Sequence, residues 1–552
     1  MSIGATSVRR CEERATVIRN VSLFVQVVLR HSTDASRRRD TSPVTRIELL
    51  RLRTLTFLVE VRMAQHHAHA NPAAHAYHAG HSSLHTASAH AAEEYTQAFT
   101  DARPAPGCAV VTVTLEAQEV DWEFKSGIVT RAWGFNQQVP GPTIEANVGD
   151  VLEVRLTNRL SEATTLHWHG LRLPAPMDGT DIVQRPVAPG ETFTYRFLLI
   201  DPGTFWYHPH SNETVQMERG LYGALIVRGA DEPTVDRERV LVLDDIMLDR
   251  DGSIVPPGGW AERRDGREGQ TRLVGGRAEP EVILSAGQVE RWRVVNASSA
   301  RYVRLSIGGA PFRILGTGGG LVEAPILATE TLLVPGDRVD LAVGPFDVGT
   351  TFSVQSLAHD RGPGVRPIEC FATVRVGPYA ASRAAIPDRL RMIEPLVTGM
   401  VVANRDVVFT ERASGSPNVH FLINNAVHYQ AAPVVVGELQ VWDVINRSSM
   451  DHPFHLHGFF FQVLERDGTP PAFRSWEDTE NVPAGGRIRI AWLPDDRPGR
   501  WMYHCHILEH HDAGMMAHFD VVRSATTAGM TASDGRLDGY HDHGAHQETT
   551  TV

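Results

Sequence analysis

The sequence predicts an all-β chain of three consecutive β-sandwich domains with disordered N- and C-terminal tails. Three observations carry this reading. One strand-like motif recurs three times, short apolar runs are rich in β-branched and aromatic residues, and Pro and Gly punctuate the intervals. At 552 residues the chain is also too long for a single hydrophobic core.

The repeated motif runs from Val148 to Asn158, from Ala286 to Asn296 and from Val436 to Asn446. Each copy is a turn containing a glycine (Gly149, Gly287, Gly437) that leads into an alternating or apolar strand. The copies start roughly 140 to 150 residues apart, a plausible size for one β-sandwich domain.

In chain order, residues 1–104 form an N-terminal extension. Residues 1–62 are Arg-rich and oddly patterned, and Met63 reads as the true start. Val21 to Leu29 is the nearest approach to a signal core, but it is short, contains Gln26 and lacks a small-x-small cleavage site after it. Residues 63–100 are rich in Ala and His (His66, His67, His69, His75, His78, His81, His85, His90) and read as a mobile tail. The three domains are assigned to 105–232, 233–380 and 381–525, and 526–552 is a second polar tail carrying His541, His543 and His546. No run of eighteen apolar residues predicts a transmembrane helix. The net charge of -12 argues against nucleic acid as a partner.

Four histidine motifs carry the chemistry. The first holds His167 and His169 around Trp168, and the second holds His208 and His210 around Pro209. The third holds His452, His455 and His457. The fourth is His504, Cys505 and His506, followed by His510 and Met515. The repeat places them. Nine and eleven residues after Asn158 lie His167 and His169, and the same offsets after Asn446 give His455 and His457. Five and seven residues after Gly203 and Gly499 lie His208 and His210, and His504 and His506. The middle copy has Leu305, Ile307, Val354 and Ser356 at those places. The simplest geometry is one metal cluster shared between the first and third domains, with the second as a spacer.

On a strand, residues i and i+2 share a face, so each His-x-His pair aims two imidazoles to one side. Eight histidines from two domains suffice for three metal ions. His452, Cys505 and His510, with Met515 nearby, offer two imidazoles, a thiolate and a weak axial thioether, the ligand set of a blue-copper electron-transfer site. Zinc also takes Cys and His, but one Cys among ten His with a Met at axial spacing favours copper. The other cysteines, Cys11, Cys108 and Cys370, are too dispersed for a disulfide scaffold. A Cys108–Cys370 bridge stays open at this point.

These motifs resemble the four copper signatures of the multicopper oxidases over roughly residues 105–525. The similarity is closest to the bacterial three-domain laccase-like members, including the spore-coat laccase, bilirubin oxidase and copper-efflux branches. The resemblance implies cupredoxin-like Greek-key sandwiches and four coppers per chain. His452, Cys505, His510 and Met515 would form the type 1 site. His167 and His455 would bind the type 2 copper. His169, His208 and His506 would hold one type 3 copper, and His210, His457 and His504 the other. A small-molecule reductant (phenol or aromatic amine) or a metal ion would donate electrons at type 1, and dioxygen would leave as water. Asp178 matches an aspartate that supplies protons near the cluster. Many relatives carry an acid directly after the position of His510, where this chain has His511.

Met515 as axial ligand implies a low-to-middle type 1 potential. No Met-rich insertion is visible, only Met392 and Met400 between the second and third domains. Asp451, Glu509 and Asp512 lie near the type 1 ligands in sequence and could attract ferrous ions. Two alternatives to a general oxidase stay open: a dedicated cuprous or ferrous ion oxidase, and a non-catalytic copper-binding or structural protein on the same scaffold. Relatives of this kind work mostly outside the cytoplasm. The chain shows no convincing export signal, so its location stays open, as does its oligomeric state.

Overall fold

A computed structural model describes residues 102–413 and 419–524. The expectations for both tails, including the start at Met63 and the His-rich stretches, lie outside the described residues. Among the described residues almost all regular structure is β, arranged as six sheets in three consecutive pairs. The first pair joins the strands Val110–Lys125, Ile128–Phe135, Val151–Asn158 and Thr192–Leu198 with a second four-stranded sheet that contains His167–His169 and Gly203–His208. The second pair has seven and five strands, and the third has five and six. These are three cupredoxin-like β-sandwiches in succession. No helix among the described residues is long and apolar enough to cross a membrane.

The sequence repeat is a structural repeat. In each pair the repeat strand runs parallel to the strand that opens the pair. Val151–Asn158 lies beside Val110–Lys125, Glu290–Asn296 beside Arg237–Ile246, and Gln440–Asn446 beside Arg405–Ala413. On its other side each pairs antiparallel, with Thr192–Leu198, Arg338–Val343 and Arg487–Trp492 respectively. Apolar side chains of these strands fill the cores. Leu152, Val154 and Leu156 pack into the first, Trp292 and Val294 into the second, and Trp442 and Val444 into the third.

The closing asparagine of each repeat fixes the corner that follows. Asn158 donates to the carbonyls of Glu162 and Val187 and accepts from Leu160 N. Asn296 does the same with Arg301, Leu333 and Ser298 N, and Asn446 with Met450, Val482 and Ser448 N. All three side chains are buried, and a carboxamide is the group that offers two donors and an acceptor at once. Beyond each corner lies the strand that carries the paired positions: His167–His169, Val303–Ile307 and His452–Leu456. The first and third pairs share the partner register, His167 facing His208 and His455 facing His504, whereas the middle pair is shifted by two residues, with Leu305 facing Ser356 rather than Val354.

Cys108 is a free thiol whose Sγ lies 3.7 Å from the Val148 carbonyl, so the Cys108–Cys370 bridge left open by the sequence does not form.

Replacing Asn446 with Ala should leave two buried carbonyls and the Ser448 amide without this partner. We expect a loss of roughly 2 to 4 kcal/mol in unfolding free energy by denaturant titration. A change within error would show that water or backbone shift satisfies the corner.

Candidate metal centre

Strand alternation splits the third pair's ligand candidates between two faces of one sheet. His455 lies opposite His504, and Phe454 lies opposite Cys505. His455, His457, His504 and His506 therefore project to one face, and His452 and Cys505 to the other. In the first pair Trp168 turns into the core while His167 and His169 turn away from it together.

The first face meets the histidines of the first pair. Three sets of ring nitrogens each gather within 4.8 Å: His167, His169 and His455; His169, His208 and His506; His210, His457 and His504. All eight side chains are buried. The outer ring nitrogens are pinned by the protein. His167 Nδ1 donates to the Asp178 carbonyl at 2.8 Å, His208 Nδ1 to the Pro209 carbonyl at 2.7 Å and His504 Nδ1 to the Cys505 carbonyl at 2.9 Å. His455 Nδ1 donates to the Asp478 carbonyl at 2.9 Å, and His457 Nδ1 to Asp178 Oδ2 at 2.9 Å. His210 Nδ1 lies 2.9 Å from Glu213 Oε1. His169 is turned round, with Nε2 at 3.2 Å from Thr479 Oγ1.

The remaining nitrogens point at one another. Nε2 of His167, His208, His210 and His455, Nδ1 of His169 and both ring nitrogens of His506 are buried without a hydrogen-bond partner. Nε2 of His457 and Nε2 of His504 stand 2.9 Å apart. Burial, the largest influence, drives His169, His208, His455, His457 and His504 below the ordinary imidazole range and His506 down to about 3. These rings are thus neutral, and neutral imidazole with a pinned outer nitrogen is the form that binds transition metals. A buried polar atom without a partner is costly, and a shared cation would satisfy several at once.

On the opposite face Cys505 Sγ lies 3.4 Å from His452 Nδ1 and 3.8 Å from His510 Nδ1, and those two nitrogens are 3.2 Å apart. Donors each about 2.0 to 2.3 Å from one ion, at trigonal to tetrahedral angles, stand roughly 3.3 to 3.7 Å from one another. Met515 is buried beside them. Its carbonyl accepts from Cys505 N and its own N–H donates to the His510 carbonyl. Burial pushes the Cys505 thiol well above its ordinary range, so a bound cation is what would secure the thiolate. The donor set fits copper.

Two stretches of the chain, 116–232 and 403–525, match family models described as multicopper oxidase. The multicopper oxidase MmcO of Mycobacterium tuberculosis is 30% identical over 477 residues, covering 76% of this chain and 89% of that protein. The chain belongs to the multicopper oxidases. Among solved structures, a Campylobacter jejuni multicopper oxidase described as a metallo-oxidase superposes with a TM-score of 0.67 at 29% identity, covering 80% of this chain and 99% of the other. The cell division protein FtsP of Xenorhabdus nematophila is 27% identical, covering 73% of this chain and 87% of its own length. As a multicopper oxidase the chain is an oxidoreductase, and the family implies copper as its metal and dioxygen and a reductant as its substrates.

Three residues of this multicopper oxidase that brace the histidines were not legible from the sequence. Asp478 lies 3.4 Å from His169 Nε2 and 3.6 Å from His455 Nδ1. Burial would raise its carboxyl, but Arg338 holds it well below the usual carboxylate range through paired contacts of 2.7 and 2.5 Å. Arg338 belongs to the second sheet pair and is itself buried. The second pair is therefore more than the spacer expected: it contributes no ligand candidate but clamps the acid behind two of them. Glu213, three residues past His210, contacts His210 and lies 3.4 Å from His511 Nδ1. Burial lowers His511, yet Glu213 and Asp512 outweigh it and raise the imidazole to about 9. Glu213 thus reaches His511 through space, and its only sequence signal is the His-x-x-Glu spacing.

Asp178 is buried between the two sheet pairs, in contact with both His167 and His457. It is also a turn residue. Gly179 follows at φ +83°, and a Cβ there would sit 1.8 Å from the Leu166 carbonyl. The expected ferrous-attracting acids are not a surface cluster. Asp451 is buried and accepts from Asn481 and Ala484 N, Glu509 is buried, and Asp512 accepts from Thr214.

Replacing Arg338 with Met keeps volume but leaves Asp478 buried without its guanidinium. We expect about 3 to 5 kcal/mol of destabilisation in the metal-free protein. At limiting metal, affinity should fall roughly 10- to 100-fold, read by competition with a chelator. Wild-type stability and affinity would refute the clamp.

Proposed function

We propose that this chain couples one-electron oxidation of a reductant to four-electron reduction of dioxygen to water. The observation that carries the reading is the convergence of eight buried imidazoles, six of them with a ring nitrogen that lacks a partner, with Cys505 held between two of the eight in sequence and facing the other side of the sheet. In this reading the domains are 105–232, 233–380 and 381–525. His452, Cys505, His510 and Met515 hold a type 1 copper, and His167 and His455 a type 2 copper. His169, His208 and His506 hold one type 3 copper, and His210, His457 and His504 the other. Bound copper would supply the redox chemistry, taking single electrons at the Cys505 site and delivering four to dioxygen at the histidine cluster.

The chain's own residues set the conditions. Cys505 is bonded through the backbone to His504 and His506, so a few covalent bonds separate the two sites. Burial on both faces excludes water and disfavours the charged form of His169, His208, His455, His457, His504 and His506. Asp178 Oδ2 orients His457, while Oδ1, 3.4 Å from His167 Nδ1 and without a hydrogen-bond partner, is the atom placed to hand on a proton. The donor is a phenol, an aromatic amine or a metal ion. The likeness to a metallo-oxidase favours the metal ion, and the likeness to a cell division protein keeps a non-catalytic alternative in view.

Oxygen uptake by the copper-loaded protein, with a phenol, ferrous ion and cuprous ion as donors, tests the proposal. Uptake with at least one donor is expected, falling at least about 1,000-fold in Cys505→Ser. No uptake despite bound copper would favour the non-catalytic alternative.

A further inference from the structure

The imidazole of His510 has an inner and an outer edge. Nδ1 faces Cys505 and His452, and the ring stacks on Phe421 with centroids 3.8 Å apart. The outer Nε2 donates to the backbone carbonyl of Arg264 at 3.1 Å. The equivalent outer nitrogen of His452 is committed inward, 2.8 Å from Ser448 Oγ. Of these two imidazoles, only His510 thus turns its edge away from the core of the third sheet pair, and a segment of the second pair covers that edge.

The cover is the short helix Trp260–Asp265, between the strands Arg237–Ile246 and Thr271–Val274. Its C-terminal end is anchored. Arg361 donates to the Asp265 carbonyl, and the buried Arg267 reaches Glu262 at 3.0 Å and Glu218 at 2.9 Å. Gly266, at φ +77°, lies so close to Ala300 and Ile507 that an added Cβ would meet them at 2.4 and 2.8 Å. At the N-terminal end Gly258 N and Gly259 N donate to Glu262 Oε2 at 3.0 and 3.3 Å. This end starts from Pro256, Pro257, Gly258 and Gly259, and a Cβ on Gly258 would touch only Arg263, at 3.6 Å. The outer surface presents Trp260, 48% exposed, with the Arg264 guanidinium 4.4 Å over its ring.

Resting on the oxidase reading above, we infer that the 260–265 helix determines which reductants this protein accepts. The Arg264 carbonyl takes the hydrogen bond that a phenol oxygen would otherwise make to His510. Donors that must touch the imidazole are disfavoured, and donors that give up an electron across one peptide layer, metal ions and metal complexes, are preferred. Both classes balance. A phenol releases one electron and one proton to become a phenoxyl radical. A ferrous complex releases one electron only. Four electrons and four protons, the latter from solvent where the donor brings none, convert one dioxygen to two waters.

Two variants test the cover: residues 260–265 replaced by three glycines, and the milder pair Trp260→Gly with Arg264→Gly. In the metal-free protein, mass spectrometry follows deuterium exchange at the imidazole carbon between the ring nitrogens. Exchange at His510 should rise at least about fivefold in either variant while His506 stays slow and shows the fold is intact. In the copper-loaded protein, the ratio of kcat/KM for syringol to that for hexacyanoferrate(II) should rise at least about tenfold. Unchanged exchange at His510 in both variants would refute the cover. Faster exchange with an unchanged ratio would refute its role in donor choice. Failure of the wild type to oxidise either donor would instead overturn the oxidase reading and donor selection with it, and the exchange result would judge the cover by itself.

Discussion

The constraint on which the rest depends is the desolvation of eight imidazoles at one dry seam. Burial drives His169, His208, His455, His457, His504 and His506 below the ordinary imidazole range, and seven ring nitrogens, from six of the eight rings, find no hydrogen-bond partner in the protein. Such an arrangement is unfavourable by itself. It persists because carbonyls, carboxylates and the Thr479 hydroxyl hold the outer nitrogens of seven rings, all but His506, and because both sheet pairs have cores of their own to offset the cost. A metal ion shared by several inner nitrogens turns the unfavourable cluster into a stabilised one, which couples copper binding to the stability of the seam.

Sheet geometry does most of the placing. The strand Gly499–Cys505 sends alternate side chains to opposite faces, and this alone separates Cys505 from His504 while leaving them one peptide bond apart. The repeated asparagine corner then delivers the paired positions of the first and third sheet pairs in the same register. The second pair keeps the corner, shifts the register by two residues and fills the positions with apolar and hydroxyl side chains. It serves the centre from behind, through Arg338 on Asp478 and through the Arg264 carbonyl on His510.

This explains what the sequence made legible. Ligand candidates sit at fixed offsets within a repeat and alternate with a period of two, so comparing the copies finds them. Asp178 was reachable only through the family resemblance, since nothing local separates it from a turn residue. Asp478, Arg338 and Glu213 act through space from strands and a helix that carry no metal motif, and the covering helix at 260–265 has no signature at all. The same limit produced the misreadings. Asp451 and Glu509 are near the Cys505 site in sequence, but the fold buries them, and the second domain resembled a spacer because its contribution is a guanidinium rather than an imidazole.

The most direct test of the account is the location of bound copper, by anomalous diffraction from copper-loaded crystals measured on both sides of the copper absorption edge. Copper is expected at three sites between the first and third sheet pairs, among His167, His169, His208, His210, His455, His457, His504 and His506, and at a fourth bounded by His452, Cys505, His510 and Met515. Copper at Cys505 alone, or a seam that stays metal-free while the fold is intact, would contradict it.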